Sequence, residues 1–240
     1  MFETSIPYRA FRRAALPFYN FWVSRSNAAI FDRVYRKKLW GVGSDPNAPF
    51  YSGVGSYDPS VRDYVDLVRA VIEKYNIQSV VEIGCGDFAV ASQFVDVCQT
   101  YTGIDVVRSL VEQNLRLFGS KNVRFIWNDA SKEKIDSADL CIIRQVLQHL
   151  SNKDIKNIFQ NVSARFLLIT EHLPSVANTK TYNLDKKSGG DIRVPMGSGV
   201  FIDKPPFNLH AEVLMEKNVV SDVHAADERL VTWLVDNNPS

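Results

Sequence analysis

Short apolar runs alternate with helical patterns along most of the chain. Five runs are apolar almost throughout, which is typical of parallel strands buried on both faces, and they span residues 79–83, 101–105, 123–127, 140–143 and 166–170. Before and between them, apolar residues recur at every third or fourth position, which predicts helices over 59–74, 89–97, 108–118 and 154–161. This alternation predicts a doubly wound α/β fold.

The last third of the chain shows two other patterns. Apolar runs at 219–223 and 229–235 are separated by a few polar residues, which predicts an antiparallel hairpin. Together with the five parallel strands, the hairpin gives a mostly parallel sheet of seven strands. Residues 171–210 hold scattered prolines and glycines instead, and such a segment inside a compact domain is typically a lid or a binding loop.

The first forty residues are strongly basic. Eight of them are Arg or Lys and two are acidic, whereas the whole chain has a net charge of +1. Residues 8–24 mix arginines with aromatic side chains and are expected to form an amphipathic arm. The arm packs on the main domain, contacts a membrane surface or a partner, or covers a binding site. Because the net charge of the whole chain is close to zero, it gives no general attraction to nucleic acid, and no nucleic-acid partner is expected.

Cysteine usage indicates the compartment. The three cysteines, Cys85, Cys98 and Cys141, fit neither a disulfide framework nor a zinc site, and reduced thiols are typical of the cytosol. No signal peptide is visible, and no apolar stretch approaches the roughly 20 residues of a membrane span. We therefore expect a cytoplasmic protein without a metal ion, with any membrane contact made at the surface through residues 8–24.

A glycine-rich turn follows the first predicted strand, in the run Glu82-Ile83-Gly84-Cys85-Gly86-Asp87-Phe88. Gly84 allows a sharp turn, and Gly86 leaves space for a ligand to approach the backbone. A helix that begins after the turn would offer its N–H groups to an anionic group. Taken alone, however, the spacing of Gly84, Gly86 and Ala89 also fits the fingerprint of dinucleotide-binding enzymes.

Three acidic residues near the strand ends help to distinguish a dinucleotide-binding enzyme from other classes. Glu82 lies inside a strand expected to be buried, where a carboxylate needs a partner such as the glycine turn or the ammonium group of a ligand. Asp105 ends the second strand, where it can accept both hydroxyls of a ribose in either class of cofactor. Asp129 follows the third strand, and a nicotinamide-binding enzyme requires no acid at that position.

The glycine turn and these acids together resemble the class I S-adenosylmethionine-dependent methyltransferases over about residues 58–235. The resemblance implies a Rossmann-related fold in which Gly84 and Gly86 line the methionine portion of the cofactor. It also implies that Asp105 binds the ribose and Asp129 the adenine amine. Further cofactor contacts are expected from Glu82, Cys85, Asp87, Val106, Ala130 and Arg144.

The resemblance divides the chain into two parts. Residues 1–57 are expected to form a helical arm and a loop that covers the cofactor, and residues 58–240 the cofactor-binding domain. Within this domain, 171–210 is expected to be an insertion at the acceptor site. Phe88 departs from the family pattern, which has a third glycine there, and this departure leaves open how the next helix begins.

Candidates for catalysis and acceptor binding follow the later strands, at the carboxyl ends where such folds bind their ligands. His149 titrates near neutrality and is expected to act as a general base or to contact the acceptor, unless it only packs the turn. Glu171, His172 and Tyr57 are further candidates for contact with the acceptor. Arg144 is expected to pair with Glu171 or another acid, or to touch an anionic acceptor.

These residues predict transfer of a methyl group from S-adenosylmethionine to a hydroxyl oxygen of a small-molecule or glycan acceptor, with S-adenosylhomocysteine as product. The glycan acceptor rests on a similarity to bacterial methyltransferases that modify sugars or surface polysaccharides, in residues 40–41, 52–56, 84–87 and 144–150. N-methylation of a small amine or a protein is an alternative. A nicotinamide-dependent oxidoreductase and a non-catalytic binding module are two others.

Overall fold

The computed structural model describes residues 26–220 and 227–238. The helices are α1 (Asn27–Arg36), α2 (Val61–Lys74), α3 (Arg108–Phe118) and α4 (Asn152–Asn161). The strands are β1 (Ser79–Ile83), β2 (Thr100–Asp105), β3 (Val123–Trp127), β4 (Ala138–Arg144), β5 (Ala164–Pro174), β6 (Glu212–Val220) and β7 (Asp227–Asp236). None of the helices in this part of the chain has the length and apolar character that a membrane span needs. The arm predicted over 8–24 lies outside the described residues, and its membrane contact stays a prediction.

One sheet holds the seven strands in the order β3-β2-β1-β4-β5-β7-β6. The first five strands of this order are parallel, and β7 is antiparallel to both β5 and β6. The predicted fold class, a doubly wound and mostly parallel sheet with antiparallel C-terminal strands, is therefore confirmed. The strand order reverses between β1 and β4, and open α/β sheets bind their ligands in the crevice at such a point.

Both faces of the sheet are covered by apolar side chains. In β4, the residues Leu140, Cys141, Ile142 and Ile143 are all fully buried, and they contribute alternately to two apolar clusters. One cluster packs under α2, and the other under α1 and α4. Burial on both faces explains why the strands are apolar throughout instead of alternating with polar residues.

The helix predicted over 89–97 is wrong. Two short turns of 3₁₀ helix, Ala91–Gln93 and Val95–Val97, occupy this stretch. Phe88 precedes them in the left-handed conformation, with φ of +66°. A left-handed residue cannot belong to the first turn of an α-helix, so no helix starts at the glycine turn. The anionic-group site expected at that helix start is therefore wrong as well.

β5 and β6 extend furthest beyond their predicted bounds. β5 continues to Pro174, which pairs with Glu228, because β7 lies alongside it over its whole length. β6 begins at Glu212 and has a shift of register between Val213 and Met215, which disturbs its alternating pattern. Residues 171–174 thus belong to the sheet, and the irregular segment between β5 and β6 spans 175–211.

Replacement of Phe88 tests whether its left-handed conformation is strained. The ring packs against Tyr101, Phe118 and Phe125, and loss of a core aromatic ring costs about 3–5 kcal/mol. Phe88→Ala and Phe88→Gly lose the same ring, but only glycine adopts a positive φ without a steric penalty. We expect the glycine variant to be the more stable by about 1 kcal/mol in urea denaturation.

Val68 provides the matched control, because it is fully buried and lies within α2. Glycine in a helix interior is less stable than alanine by about 1 kcal/mol, so the order of the two variants should reverse at this position. If Phe88→Ala proves more stable than Phe88→Gly, the backbone at position 88 leaves the left-handed region once the ring is gone, and the inferred strain is refuted.

Candidate active site

A cavity opens at the carboxyl ends of β1, β2 and β4, where the strand order reverses. It is lined by all the residues that the sequence analysis assigned to the cofactor: Glu82, Gly84, Cys85, Gly86, Asp87, Asp105, Val106, Asp129, Ala130 and Arg144. His149, the predicted catalytic residue, lines it as well. Tyr57, Glu171 and His172, which were predicted to contact the acceptor, lie outside this lining.

The glycine turn is enclosed by neighbouring side chains. Gly84 and Gly86 have φ values of +71° and +55°. A Cβ atom on Gly84 would lie 2.4 Å from Val146 Cγ2, and one on Gly86 would lie 2.4 Å from Ser52 Oγ. Both positions therefore need glycine for conformation and for space. The Gly84 N–H donates to the Ile104 carbonyl at 2.8 Å, which ties the turn to β2.

Asp105 ends β2 and lies directly beside the glycine turn. Its Oδ1 accepts from the Val107 N–H at 2.9 Å, and its Oδ2 accepts from the Gly86 N–H at 3.3 Å. Burial raises the pKa of this carboxyl to about 6, although both N–H groups oppose the rise. The carboxyl thus has a fixed direction at the cavity wall and ionises below neutral pH.

Glu82 lies within β1 and is buried at the floor of the cavity. The Tyr101 hydroxyl donates to its Oε2. Burial raises the pKa of Glu82 to about 7, although the Tyr101 hydroxyl and the positive charge of Arg144 oppose the rise. Glu82 therefore titrates near neutrality, and a positively charged ligand group would favour its ionised form.

Asp129 closes the cavity on the β3 side. Its Oδ1 accepts from the Ser131 hydroxyl at 2.6 Å, and its Oδ2 pairs with Lys132 Nζ at 2.9 Å. Burial would raise the pKa of Asp129, but the Ser131 and Lys132 contacts hold it below its ordinary value. Asn27 donates to Ser131 Oγ at 3.1 Å, which anchors α1 at this strand end. The neighbouring Asn128 Oδ1 is buried without a hydrogen-bond partner among the described residues.

The loop before α2 packs over the glycine turn. Ser52 and Asp87 exchange two hydrogen bonds: the Ser52 N–H donates to Asp87 Oδ2 at 2.9 Å, and the Asp87 N–H donates to Ser52 Oγ at 2.8 Å. The Tyr57 hydroxyl donates to the same Oδ2 at 2.9 Å. The Tyr57 ring stacks on Tyr51 and is 55% exposed. Tyr57 thus holds Asp87 from the solvent side and does not face the cavity.

Arg144 is the last residue of β4 and borders the cavity. Its Nη2 donates to the Gly55 carbonyl at 2.7 Å, and its Nη1 donates to Gln145 Oε1 at 3.2 Å. The guanidinium carbon lies 5.0 Å from the centroid of the Tyr64 ring. Glu171 was one of the expected partners of Arg144, but the guanidinium makes these contacts instead of an ion pair with it. The buried Nε has no hydrogen-bond partner within the described part of the chain.

His149 lies in the 3₁₀ turn Leu147–His149, against an aromatic wall. Its ring centroid is 5.0 Å from that of Trp40 and 6.4 Å from that of Phe31. Its Nδ1 lies 3.3 Å from the Asp191 carbonyl oxygen, which favours the tautomer with a proton on Nδ1 and a lone pair on Nε2. Burial lowers the pKa of His149 to about 4, so the imidazole is neutral at pH 7.

Glu171 and His172 lie inside β5 and not after it, contrary to the expectation that they follow the strand. Glu171 is fully buried and accepts the N–H groups of Leu147 and Gln148, each at 2.9 Å. Burial raises the pKa of Glu171 to about 8, although both N–H groups oppose the rise. His172 Nε2 lies 2.7 Å from Glu228 Oε2 in β7. The pairing of β5 with β7 thus places both side chains away from the cavity.

Sequence reasoning missed one wall of the cavity. Its side chains come from α1 and the residues after it, namely Asn27, Phe31, Tyr35 and Trp40. The capping serine at position 26 and the spacing of Phe31, Val34 and Tyr35 are a helix signal, but they do not say where the helix packs. Gln145, which has a left-handed φ of +56°, also lines the cavity and carries no signal in the sequence.

Comparison with known proteins relates this site to one family. Residues 80–166 match the family model of a methyltransferase domain. The N-methyltransferase NodS from Bradyrhizobium japonicum WM9, in complex with S-adenosyl-L-homocysteine, has a TM-score of 0.57 and 15% identity, over 89% of this chain and 100% of that chain. Magnesium protoporphyrin IX methyltransferase (ChlM) from Synechocystis PCC 6803, with the same ligand bound, has a TM-score of 0.52 and 12% identity, over 88% and 100%. The search of curated proteins finds no match.

At such low identity, the two solved structures show the fold alone. The domain match is more specific, because residues 80–166 include the glycine turn, Asp105, Asp129 and the turn that carries His149. These are the strand ends that surround the cavity at the reversal of strand order. Residues 80–166 therefore form a methyltransferase domain, within a sheet that has the fold of the class I S-adenosylmethionine-dependent methyltransferases.

Proposed function

We propose that this protein transfers a methyl group from S-adenosylmethionine to a hydroxyl oxygen of a small-molecule or glycan acceptor, with His149 as the proton acceptor. The observation that carries the proposal is the position of the His149 imidazole, which lines a cavity whose other side chains suit the cofactor and has its Nδ1 3.3 Å from the Asp191 carbonyl oxygen. The cofactor and the acceptor thus share one cavity, and His149 lies beside the aromatic wall that faces the acceptor.

The polar groups of the cavity suit the separate parts of the cofactor. Arg144 Nε and Asn128 Oδ1 are buried without hydrogen-bond partners among residues 26–220 and 227–238, and such atoms are rare in native proteins unless a ligand or water satisfies them. Arg144 Nε suits the carboxylate of the cofactor. Asn128 Oδ1, which lies beside Asp129, suits the amino group of adenine. Glu82 suits an ammonium group, and Asp105 suits the hydroxyls of a ribose.

The remaining cofactor-binding residues supply shape. They are Gly84, Cys85, Gly86, Val106 and Ala130, with Asp87 holding the covering loop through Ser52. When bound, the cofactor supplies a methyl group on a positively charged sulfur, which is reactive without help from the protein. The protein has to align the acceptor and exclude water, and the coverage of the strand ends by α1 and the Ser52 loop serves both purposes.

His149 has the tautomer that a proton acceptor needs. With its Nδ1 proton directed at the Asp191 carbonyl, the lone pair lies on Nε2, and the Gln148 amide nitrogen is 3.4 Å from that atom. The low pKa keeps the imidazole unprotonated at neutral pH. A hydroxyl oxygen becomes strongly acidic as it gains a bond to carbon, so a weak base suffices to accept its proton at that stage.

The aromatic wall is the surface that the acceptor meets. Phe31, Tyr35 and Trp40 contribute three aromatic rings to this wall, and aromatic rings suit the apolar face of a sugar. The same faces attract cations, and this observation favours an amine acceptor as the second candidate. Methylation of an amine lone pair needs no strong base, so the two candidates differ in their dependence on His149.

Cofactor affinity should depend on the ionisation of Glu82. With a pKa of about 7, the ionised fraction of Glu82 rises about tenfold between pH 6 and pH 8. Since an ammonium group favours the ionised form, the Kd of S-adenosylhomocysteine should fall by up to about tenfold over this range. By linkage, binding at pH 7 should release about half a proton, because Glu82 is half protonated at that pH. Isothermal titration calorimetry in buffers of different ionisation enthalpy measures both effects.

Glu82→Gln should remove this dependence, except for an effect of about twofold that ionisation of Asp105 contributes. Asp139→Asn is the matched control, because Asp139 accepts the N–H groups of Gln78 and Ser79 at the opposite end of the same strands. It should keep the wild-type profile. A wild-type Kd that is constant with pH would rule out the ammonium contact, and failure to bind S-adenosylhomocysteine at all would rule out the proposed cofactor.

Replacement of His149 distinguishes the two acceptor classes. Hexosides, nucleotide sugars and alkylamines are first tested for methylation with methyl-tritiated S-adenosylmethionine. With a hydroxyl acceptor, His149→Ala should lower kcat by about a hundredfold, the usual contribution of a general base. The Kd of S-adenosylhomocysteine should change by less than about twofold, because His149 is not assigned to the cofactor.

His210→Ala is the matched control, because His210 is exposed and lies outside the cavity lining. It should keep the wild-type kcat. Turnover of a hydroxyl acceptor that is unaffected by His149→Ala would refute the role of His149 as base. Turnover restricted to amines would replace the proposed acceptor class by the second candidate.

A further inference from the structure

A buried carboxyl group holds the beginning of the turn that carries His149. The two oxygens of Glu171 accept the N–H groups of Leu147 and Gln148, each at 2.9 Å. The first N–H groups of any helical turn lack partners within the turn, so side-chain oxygens are needed there as acceptors. Glu171 therefore satisfies both N–H groups with one side chain that lies outside the cavity.

A buried guanidinium holds the other end of the same turn. Arg193 is fully buried, and its Nη1 donates to the carbonyls of Leu147 and Gln148 at 3.3 and 3.0 Å. Its Nη2 donates to the Leu150 carbonyl at 2.6 Å, and its Nε donates to the Leu184 carbonyl at 2.7 Å. A positive charge is favoured at this end, and the rigid fork of an arginine bonds several carbonyls in a fixed arrangement.

We infer that Glu171 and Arg193 are positioning residues for methyl transfer, which hold the turn Leu147–His149 so that the imidazole faces the cavity. The inference rests on the proposed role of His149. The two side chains form hydrogen bonds to the backbone at the amino and carboxyl ends of the turn. They thereby set the direction of the ring without touching it.

The irregular segment 175–211 takes part in the same arrangement. Arg193 belongs to it, and two further groups of this segment reach the His149 carbonyl: the Gly189 N–H at 2.9 Å and Lys186 Nζ at 3.3 Å. The Asp191 carbonyl contacts the ring itself. The segment thus contributes to the tautomer and the position of His149, although none of its residues lines the cavity.

A purely structural role would not require two buried ionisable side chains. Replacing buried ionic groups by well-packed apolar residues is often neutral or stabilising, so burial of this pair is weak evidence for stability. Both side chains direct hydrogen bonds at one short turn that borders the cavity, and displacement of a catalytic group by about 1 Å can cost a hundredfold in rate. The arrangement therefore fits a requirement for accurate placement of the ring.

The test is a double-mutant cycle between Glu171→Gln and His149→Ala. The glutamine amide keeps the shape of the Glu171 side chain but has only one acceptor atom. Its NH₂ group would face a backbone N–H, and two donors cannot form a hydrogen bond with each other. Glu171→Gln should lower kcat by about tenfold to a hundredfold, with the acceptor KM and the Kd of S-adenosylhomocysteine nearly unchanged. In the His149→Ala background, the same substitution should have no further effect on kcat, because Glu171 acts through that ring.

Glu228→Gln is the matched control. Glu228 is a buried carboxylate in the same sheet, but it pairs with His172 and has no contact with the His149 turn. It should keep the wild-type kcat even if the melting temperature falls. Arg193→Lys is the second variant, because lysine keeps the charge without the fork and allows the test if Glu171→Gln does not fold.

A spectroscopic measurement tests the placement of the ring directly. The chain has four histidines, so the ring signals of His149 can be assigned from their loss in His149→Ala. In Glu171→Gln or Arg193→Lys, these signals should shift and broaden, and the pKa of His149 should move towards its ordinary value as the ring leaves its buried position.

Three outcomes would overturn the inference. Unchanged ring signals in both variants would show that Glu171 and Arg193 do not position His149. Losses of kcat that multiply in the double variant would show that Glu171 acts independently of His149, while the proposed function stands. A wild-type kcat in His149→Ala alone would refute the proposed role of His149, and the positioning role with it.

Discussion

The side chain of Asp105 joins the two strand ends on which the site is built. One oxygen accepts the N–H of Val107 at the start of α3, and the other accepts the N–H of Gly86 in the glycine turn. A buried carboxylate is costly without such donors, and the turn brings its donor within reach only with left-handed backbone at Gly84 and Gly86. The covering loop is attached in turn, because the next residue, Asp87, binds Ser52.

Much of the fold could be predicted because its strands are buried on both faces, which leaves an unbroken apolar signal in the sequence. The acids of the cavity could be predicted for a related reason. Parallel strands bring their carboxyl ends to one edge of the sheet, so Glu82, Asp105 and Asp129 had to lie close together. Local pattern and strand direction are sufficient for such residues.

The remaining features depend on contacts between distant residues. α1 joins the site through a bond between Asn27 and Ser131, which are 104 positions apart. β5 is longer than its apolar run because β7 pairs with Pro174, and this pairing places Glu171 behind the His149 turn. The helix predicted over 89–97 does not form, because Phe88 before it is left-handed, with its ring buried against residues of β2, α3 and β3. None of these partners is visible in the local sequence.

The charges of the cavity also bear on the choice between cofactors. Burial shifts Glu82, Asp105 and His149 towards their neutral forms, with pKa values of about 7, 6 and 4. A ligand with positive groups reverses this shift at the carboxyls, whereas a negative one increases it. A nicotinamide dinucleotide brings a pyrophosphate, which would meet Asp87 and both buried carboxyls beside a glycine turn that no α-helix follows. S-adenosylmethionine carries an ammonium and a sulfonium, so the desolvation of these carboxyls itself favours that cofactor.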